Sequence, residues 1–541
     1  MKAAYLRYMV GCCCMFSTWL QAQPRADYSI LQFGASANSN QYSTAAIQQA
    51  IETAAKNGGG RVIIPAGRFV SGALYLSSGV ELQLANGAVL LGAAELNQYK
   101  KVGKINALIN ADKASGIAIT GEGIIDGQSD LLMEDVLRQL REGKHKDASW
   151  KEINGQLIRR PSEWSRPKLV FFLGCDSITI KGITLQNGSC WIQEYKDCRN
   201  ILIDGIKVES TTYWNNDGID LTDCVNARVI NCEVNAADDA ICLKSDDRNR
   251  RCENIYIADC RLRSSANAVK LGTASHGGFK NITIRNIEVY DTYRSAIALE
   301  AVDGGEISNI DVRNIRAVNT GNAFFIRLGH RNKDSVYSKV SDIRISDMRV
   351  QVPAGKPDKG YRTEGPLLKY PPGFKKIPGQ LQSVSPWNHS WNDSTAVIYE
   401  HNVFPSSVAG LPGHLVKNVL LENIEIIYAG GGDSTVNYFP VSAARELTNA
   451  VSDYPEFSMF GELPAWGLFI RYASGVTMKN IRLVQQQPDY RTGLLVLESA
   501  GIEAKKIQFE RPRSTPPVQL VSAGHYTFRK IRMNQRKIKV N

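Results

Sequence analysis

The fold is decided by residues 214–245, which read W-N-N-D-G-I-D-L-T-D-C-V-N-A-R-V-I-N-C-E-V-N-A-A-D-D-A-I-C-L-K-S. Two segments match each other, Asp217-Gly-Ile-Asp-Leu221 and Asp239-Ala-Ile-Cys-Leu243, and they begin 22 residues apart. The same frame returns as Asn267-Ala-Val-Lys-Leu271, Ser295-Ala-Ile-Ala-Leu299 and Asn322-Ala-Phe-Phe-Ile326. A repeat of 22–28 residues built on short alternating strands is typical of a solenoid. We predict an all-β chain folded as a parallel β-helix, whose turns stack about 4.8 Å apart.

A second repeat supports the same architecture. Nine segments aligned between residues 177 and 483 have only Gly, Asn or Asp at their sixth position. These residues tolerate a left-handed backbone, so each turn is predicted to bend there. The next position is apolar in all nine segments and includes Cys232 and Cys260, which we expect to be core thiols rather than disulfide partners. The sixth positions are Gly182, Gly205, Asn231, Asp259, Asn286, Asn314, Asp347, Asn423 and Asn480.

One β-helix domain is predicted over residues 23–541. Residues 43–56 carry apolar side chains at helical spacing and are predicted to form a helix that caps the first turn. The repeat is interrupted by predicted insertions at about 129–165, 351–416 and 429–465. Aromatic residues in or beside the last two insertions either pack within the loops or stack on sugar rings. These residues are Trp387, Trp391, Tyr438, Phe457, Phe460 and Trp466.

Residues 1–22 resemble a secretory signal peptide. Lys2 and Arg7 precede a mostly apolar stretch that is too short to span a bilayer, and Leu20-Gln-Ala22 offers a cleavage site. Lipid attachment at Cys12 is the less favoured alternative. We therefore expect a periplasmic or secreted monomer without a membrane span. The net charge of +11 suggests a polyanionic partner, and export favours an acidic polysaccharide over nucleic acid.

Stacking of the turns brings three carboxylates together. Asp217 and Asp239 become vertical neighbours, and Asp238 lies one residue aside. A solvated polar face explains single charges, but like charges stacked one turn apart raise the pKa of at least one of them. A bound cation or a proton shared for acid–base catalysis would relieve the repulsion, and we favour catalysis. Further charged residues are expected to face outward on nearby turns: Asp220, Lys244, Lys270, Glu300 and Arg327.

These motifs resemble the polygalacturonase family of glycoside hydrolases, family 28, whose members are right-handed parallel β-helices that cleave pectic sugars. The family's Asn-Thr-Asp motif appears as Asn215-Asn216-Asp217, and its Asp-Asp pair appears as Asp238-Asp239. The opening pattern of the family also matches in three places: Phe33-Gly-Ala35, Gly58-Gly-Gly60 and Pro65-Ala-Gly67.

Two departures from the family pattern concern substrate binding. The family's Gly-His-Gly falls at Ala266-Asn267-Ala268, so Asn267 replaces the histidine. The Arg-Ile-Lys that holds the galacturonate carboxylate falls at Ala298-Leu299-Glu300. Lys244, Lys270 and Arg327 could supply another anion clamp, with Lys270 expected to be the first contact. The alternative is that Lys270 pairs with Asp239 or Glu300 and that the sugar is neutral.

The resemblance implies hydrolysis of an acidic plant cell-wall polysaccharide, of galacturonan or rhamnogalacturonan type, with inversion. By position, Asp238 is the general acid, while Asp217 and Asp239 hold and deprotonate a water molecule. The expected substrate-binding residues are Asn215, Asn267, Lys270, Lys244, Glu300, Arg327 and Asp220. No motif predicts a cofactor or a metal. The alternatives are a calcium-dependent polysaccharide lyase on the same fold and a non-catalytic glycan-binding β-helix.

Overall fold

The computed structural model describes residues 26–540, except 38–40, 100, 103–104, 362–402, 433, 435–437 and 512–515. The predicted signal peptide, Cys12, Trp387 and Trp391 lie outside the described residues. The described chain is a parallel β-helix, as predicted, in which each turn contributes to three stacked strips of parallel strands, called sheets 1, 2 and 3.

Sheet 1 carries the candidate site. Its strands are Leu74–Tyr75, Ile105–Asp112, Lys168–Leu173, Gln193–Lys196, Ile219–Thr222, Ile241–Ser245, Val269–Ser275, the ends of Gly278–Ala301 and Glu306–Leu328, Ser406–Ala409, Ala465–Arg471, Thr492–Leu497 and Val518–Val521. Ser406–Ala409 lies inside the predicted 351–416 insertion, so the repeat resumes earlier than predicted. This strand was missed because its four residues are followed by Gly-Leu-Pro-Gly rather than by the repeat frame.

Sheets 2 and 3 complete each turn. Sheet 2 contains Asp27–Ser29, Gly60–Ile64, Val80–Leu84, Ser115–Gly121, Asp176–Lys181, Arg199–Asp204, Val225–Ile230, the starts of Cys252–Ser264, Gly278–Ala301 and Glu306–Leu328, then Lys339–Val352, Val416–Gly430, Ala473–Gln487, Ala500–Glu510 and Gly524–Arg529. Sheet 3 contains Gly67–Ser71, Ala88–Gly92, Ile124–Asp126, Thr184–Gln186, Lys207–Ser210, Glu233–Ala236, later parts of the same long strands, and Arg532–Met533.

The remaining elements cap or interrupt the β-helix. The predicted N-terminal helix is Thr44–Lys56, and its buried stripe includes Ile47, Ala50 and Ile51. The 129–165 insertion forms the helix Ser129–Arg141 and a hairpin of Lys151–Ile153 with Gln156–Arg159. Two more antiparallel pairs join Lys101–Val102 to Ile105–Asp112 and Arg532–Met533 to Arg536–Lys537. Short 3-10 helices occupy Ile30–Phe33, Leu96–Gln98, Glu163–Ser165 and Val441–Glu446.

The predicted bends and core columns are confirmed. All nine sixth-position residues have φ between 53° and 75°. Side-chain amides link this column from turn to turn; for example, Asn286 donates to Asp259 and accepts from Asn314, both at 2.8 Å. The following apolar column is at most 2% exposed, and all eight cysteines of the described chain are buried free thiols, as predicted for Cys232 and Cys260.

Candidate active site

Three aspartates meet at the start of two neighbouring strands of sheet 1. Ile219 pairs with Ile241, and the amide of Gly218 donates to the carbonyl of Asp239 at 2.9 Å, so Asp217 lies directly beside Asp239. One carboxylate oxygen from each of Asp217, Asp238 and Asp239 lies within 4.8 Å of the other two. The juxtaposition predicted from the repeat is therefore present. The three residues are 4%, 6% and 3% exposed, so Asp238 is the most accessible.

The surroundings of Asp239 stabilise its ionised carboxylate. Its Oδ1 accepts the backbone N–H of Asn267 at 2.9 Å and the side-chain amide at 2.8 Å, and its Oδ2 lies 3.1 Å from Lys270 Nζ. Burial favours the protonated carboxyl, but Lys270 and Arg294 together lower the pKa of Asp239 below its usual value. A low pKa keeps this carboxylate ionised.

Asp217 and Asp238 favour the protonated form. Burial, together with the charges of Asp220, Asp238 and Asp239, raises the pKa of Asp217 well above its usual value despite Lys244 Nζ, 3.1 Å from its Oδ2. Burial and the charge of Asp239 also raise the pKa of Asp238. Pairs of carboxyls whose pKa values are pushed apart are the arrangement that acid–base catalysis requires.

The carboxylate oxygens of Asp217 and Asp238 differ in their hydrogen bonds. Asp238 Oδ1 accepts the backbone N–H of Asp239 at 2.9 Å, which orients the carboxyl. Asp217 Oδ1 is buried and has no hydrogen-bond partner within the described ranges. A buried acceptor without a partner is unfavourable, so this oxygen is suited to a water molecule or a substrate hydroxyl.

Lys244 and Asp220 form a buried ion pair beside the cluster. Lys244 Nζ contacts Asp220 Oδ1 closely and lies 4.1 Å from the centre of the Trp191 ring. Asp220 is fully buried, and burial raises its pKa to about 7 although Lys244 acts in the opposite direction. The expectation that Asp220 faces solvent is therefore wrong, because Asp220 is buried and holds Lys244 against Asp217. Its contact with substrate stays a prediction.

Lys270, Glu300 and Arg327 point outward from sheet 1 but are not exposed. They are 2%, 1% and 1% accessible, because residues 441–464 lie over this part of the sheet. Lys270 donates to the Tyr454 hydroxyl at 3.0 Å and lies 3.8 Å from Glu300 Oε2. The geometry favours the alternative considered above, in which Lys270 pairs with Asp239 and Glu300.

Arg327 does not reach the cluster. Its guanidinium donates to the carbonyls of Gly410, Asn449 and Ala450 at 2.9, 2.7 and 2.8 Å. Its prediction as a substrate contact is corrected, since it anchors the covering segment to sheet 1. The sequence could not show this because residues 441–464 do not follow the repeat.

The covering segment is residues 441–464, and it packs on sheet 1 through an apolar cluster. Phe457 and Phe460 join Phe325 of the sheet in this cluster, and Trp466 is fully buried, so these aromatic side chains pack as core. Tyr438 is 56% exposed. The Glu456 carboxylate lies 3.2 Å from Arg294 Nε. The segment therefore forms a wall beside the aspartates on the C-terminal side.

Asn215 and Asn267 support the cluster in different ways. Asn215 has φ 54° and is 7% exposed, and its Oδ1 accepts Arg166 Nη2 at 2.7 Å. Asn267 is 2% exposed and uses its oxygen for the Ser295 amide at 3.1 Å, so it positions Asp239. Its expected hydroxyl contact with substrate is therefore not supported by the geometry.

Sequence reasoning missed a pocket beside Asn215. It has a volume of about 280 Å³ and is formed largely by the 129–165 insertion. A basic and aromatic stretch, R-R-P-S-E-W at residues 159–164, was the available signal. The lining residues are Ser149, Arg160, Pro161, Ser162, Glu163, Trp164, Arg166 and Asn215.

Comparison with known proteins identifies the family. The model of glycosyl hydrolases family 28 matches residues 56–359, more than half of the chain. The chain belongs to this family. A probable polygalacturonase of Vitis vinifera is 25% identical over 320 residues, covering 56% of this chain and 57% of the relative. An exo-poly-alpha-D-galacturonosidase of Dickeya chrysanthemi is 26% identical over 319 residues, covering 51% and 53%. The family 28 chain thus spans about half the length of these curated relatives.

Solved structures agree on the fold. A hyperthermoactive exopolygalacturonase from Thermotoga maritima superposes with a TM-score of 0.59 at 19% identity, covering 85% of this chain and 92% of that chain. A family 28 exopolygalacturonase from Yersinia enterocolitica gives 0.54 at 17% identity, covering 93% and 78%. These are right-handed parallel β-helices, as predicted for this family 28 chain. No helix among the described residues is long and apolar enough to cross a membrane.

Proposed function

We propose that this family 28 chain hydrolyses glycosidic bonds in an acidic pectic polysaccharide of galacturonan or rhamnogalacturonan type. The observation that carries the proposal is the cluster of Asp217, Asp238 and Asp239, in which one carboxyl has a lowered pKa and two have raised pKa values. The acidic substrate is supported by the net charge of +11 and by the names of the relatives.

Asp238 is the proposed general acid. It is the most exposed of the three carboxyls, and its raised pKa keeps the proton available at higher pH than an ordinary aspartate. It donates this proton to the leaving glycosidic oxygen as the bond to the anomeric carbon breaks.

Asp239 and Asp217 are proposed to bind the attacking water. The water adds to the anomeric carbon and loses a proton to the ionised carboxylate of Asp239. Asp217 Oδ1 offers a second acceptor for the same water. The oxygens lie within 4.8 Å, whereas inverting enzymes commonly separate their carboxyls by about 6.5–9.5 Å. Inversion is therefore proposed from the family resemblance. The anomeric configuration of the first product distinguishes inversion from retention.

A calcium-dependent lyase is the second candidate, because the three clustered carboxylates could together hold a cation. The ammonium groups of Lys244 and Lys270 already lie 3.1 Å from Asp217 and Asp239. They neutralise the charge that would attract a calcium ion, so the cluster fits hydrolysis better.

Action from a chain end is also proposed. The covering segment places Tyr454 against Lys270 and Glu456 against Arg294, immediately beyond Asp239 on the sheet. A wall at this place leaves room for few sugar units on its side of the cleaved bond. Several relatives are named as exo-acting enzymes, which agrees with this proposal.

Export is proposed from the sequence of residues 1–22. Expression in a bacterial host with its native N-terminus, followed by fractionation and N-terminal sequencing, tests it. A mature chain that starts near Gln23 in the periplasm or medium supports export, whereas an intact chain in the cytoplasm contradicts it.

The hydrolytic function is tested by product analysis on de-esterified polygalacturonate and on rhamnogalacturonan. Wild type should release new reducing ends without ultraviolet-absorbing unsaturated sugars, and early samples should contain mainly one small product. Unsaturated products that disappear with a calcium chelator would assign the lyase function instead. Early samples rich in long oligomers would contradict action from a chain end.

A further inference from the structure

The pocket formed by the 129–165 insertion lies beside the turn of the β-helix that carries Asn215 and Asp217, called the catalytic turn. Its volume of about 280 Å³ is at the low end for ligand sites, which suits one sugar ring rather than a longer segment. Asn215 lines it and is followed two residues later by Asp217, so a sugar in the pocket would be next to the aspartates.

Arg166 fixes the inner side of this pocket. It is 1% exposed and donates to Asn215 Oδ1 at 2.7 Å, to the Ser189 carbonyl at 3.1 Å and to the Ser162 carbonyl at 3.3 Å. These bonds join the insertion to the turn that carries Asp217. The pocket is therefore held rigidly against the catalytic turn, as a binding site needs to be.

Arg160 and Trp164 provide chemistry for an acidic sugar. Arg160 lines the pocket and is close enough to Asp238 for its charge to act on that carboxyl. A guanidinium can bind a carboxylate through two parallel hydrogen bonds. The Trp164 ring is 50% exposed at the same pocket, and aromatic rings offer an apolar face to sugars. Glu163 also lines the pocket and its carboxylate opposes anion binding, so the attraction for a uronate has to come from Arg160.

The cations expected to bind the substrate carboxylate are otherwise engaged. Lys270 pairs with Asp239, Lys244 pairs with Asp217 and Asp220, and Arg327 anchors the covering segment. Glu300, at a position where the family has a cation, supplies no positive charge to a uronate. An acidic substrate therefore needs a carboxylate contact outside sheet 1.

We propose that this pocket binds one uronic acid unit next to the cleaved bond, with Arg160 contacting its carboxylate and Trp164 packing against its ring. This inference rests on the proposed function and assigns the specificity for acidic sugar to the insertion. Arg160 is a specificity-determining residue in this account, and it supplies no proton to the reaction.

The test measures binding by calorimetry in full-length protein carrying Asp238→Asn, which prevents turnover. The probes are trigalacturonate and its carboxyl-reduced, neutral counterpart. Arg160→Gln should weaken trigalacturonate binding by about tenfold or more and leave neutral-sugar binding within about twofold. Arg160→Lys should weaken trigalacturonate binding less than Arg160→Gln does. Arg159→Gln is the matched control, because Arg159 is exposed on the neighbouring hairpin strand and should change neither affinity.

The outcomes separate this inference from the proposed function. Unchanged trigalacturonate binding in Arg160→Gln, equal losses for both probes, or no binding of trigalacturonate before substitution would each overturn it. Thermal melting of every variant checks folding, and Arg160→Lys serves if Arg160→Gln melts early. If binding depends on Arg160 but Asp238-intact protein cleaves no pectic substrate, the proposed function fails while the uronate pocket stands.

Discussion

The ammonium of Lys270 lies 3.1 Å from Oδ2 of Asp239, and both side chains are almost completely buried. The same arrangement occurs one turn earlier, where Lys244 lies 3.1 Å from Asp217. Each water-binding aspartate of the proposed mechanism thus has its own lysine, whose positive charge acts to lower the pKa of that carboxyl.

Replacement of Lys270 tests this relationship. In Lys270→Met the pKa of Asp239 should rise, because a major cause of its lowering is removed. The acidic limb of the kcat profile should then move to higher pH, with kcat reduced about tenfold at mildly acidic pH and KM nearly unchanged. Lys339→Met, at an exposed position of sheet 2, is the control. A raised KM with unchanged kcat would instead show that Lys270 contacts the substrate carboxylate.

Asp238→Asn should remove the general acid without disturbing the fold. The amide oxygen can still accept the Asp239 N–H that Asp238 Oδ1 accepts now. We expect turnover to fall by at least ~10²-fold with an unchanged melting temperature. Asp259→Asn, the same substitution at an exposed bend, should keep full activity. Turnover of the Asp238 variant within tenfold of wild type would exclude its role as the acid.

Glu300 should make stability depend on pH. Burial raises the pKa of Glu300 from 4.5 to about 7, although Lys270 acts in the opposite direction. Folding therefore favours the protonated form, and this contribution to stability is present below pH 4.5 and lost as pH rises towards 7.

Glu300→Gln removes this titration. Between these pH values, titration of Glu300 should lower the free energy of unfolding of wild type by roughly 2–3 kcal/mol. The free energy of unfolding of the variant should fall correspondingly less. Urea unfolding at both pH values provides the measurement, with Glu288→Gln, exposed on the same strand, as the control. Parallel pH profiles for wild type and Glu300→Gln would contradict the assignment.

The column of bending residues should contribute measurably to stability. Asn286 has φ 55° and bridges Asp259 and Asn314 through its amide. Asn286→Ala loses both hydrogen bonds and introduces a residue that disfavours the left-handed conformation, so it should cost about 2–4 kcal/mol. Asn286→Gly restores the backbone freedom and should recover about 1–2 kcal/mol of that loss. Equal melting temperatures for the two variants would show that backbone conformation contributes nothing there.

Repeating features were predictable from the sequence, because each turn imposes the same geometry on the same positions. The left-handed column, the buried apolar column and the contact of Asp217 with Asp239 all follow from aligning the repeat. Predicting these three features required only the distance between neighbouring strands and the alternation of side chains along each strand.

Features contributed by non-repeating segments were not predictable in the same way. Lys270 and Arg327 occupy outward positions, and their burial depends on residues 441–464, whose path has no repeat to fix it. Arg160 lies beside Asn215 because of an insertion whose docking depends on Arg166. Such contacts join residues distant in sequence without a shared spacing.

The most direct test of the account is proton NMR of trigalacturonate during the first minutes of hydrolysis, before the product anomers equilibrate. Wild type should release a product in which the α-linked sugar appears first as the β-anomer, with no signal from an unsaturated sugar, and Asp238→Asn should release none at the same enzyme concentration. A first product in the α-configuration would contradict the water-activating roles of Asp217 and Asp239. An unsaturated product would contradict hydrolysis itself.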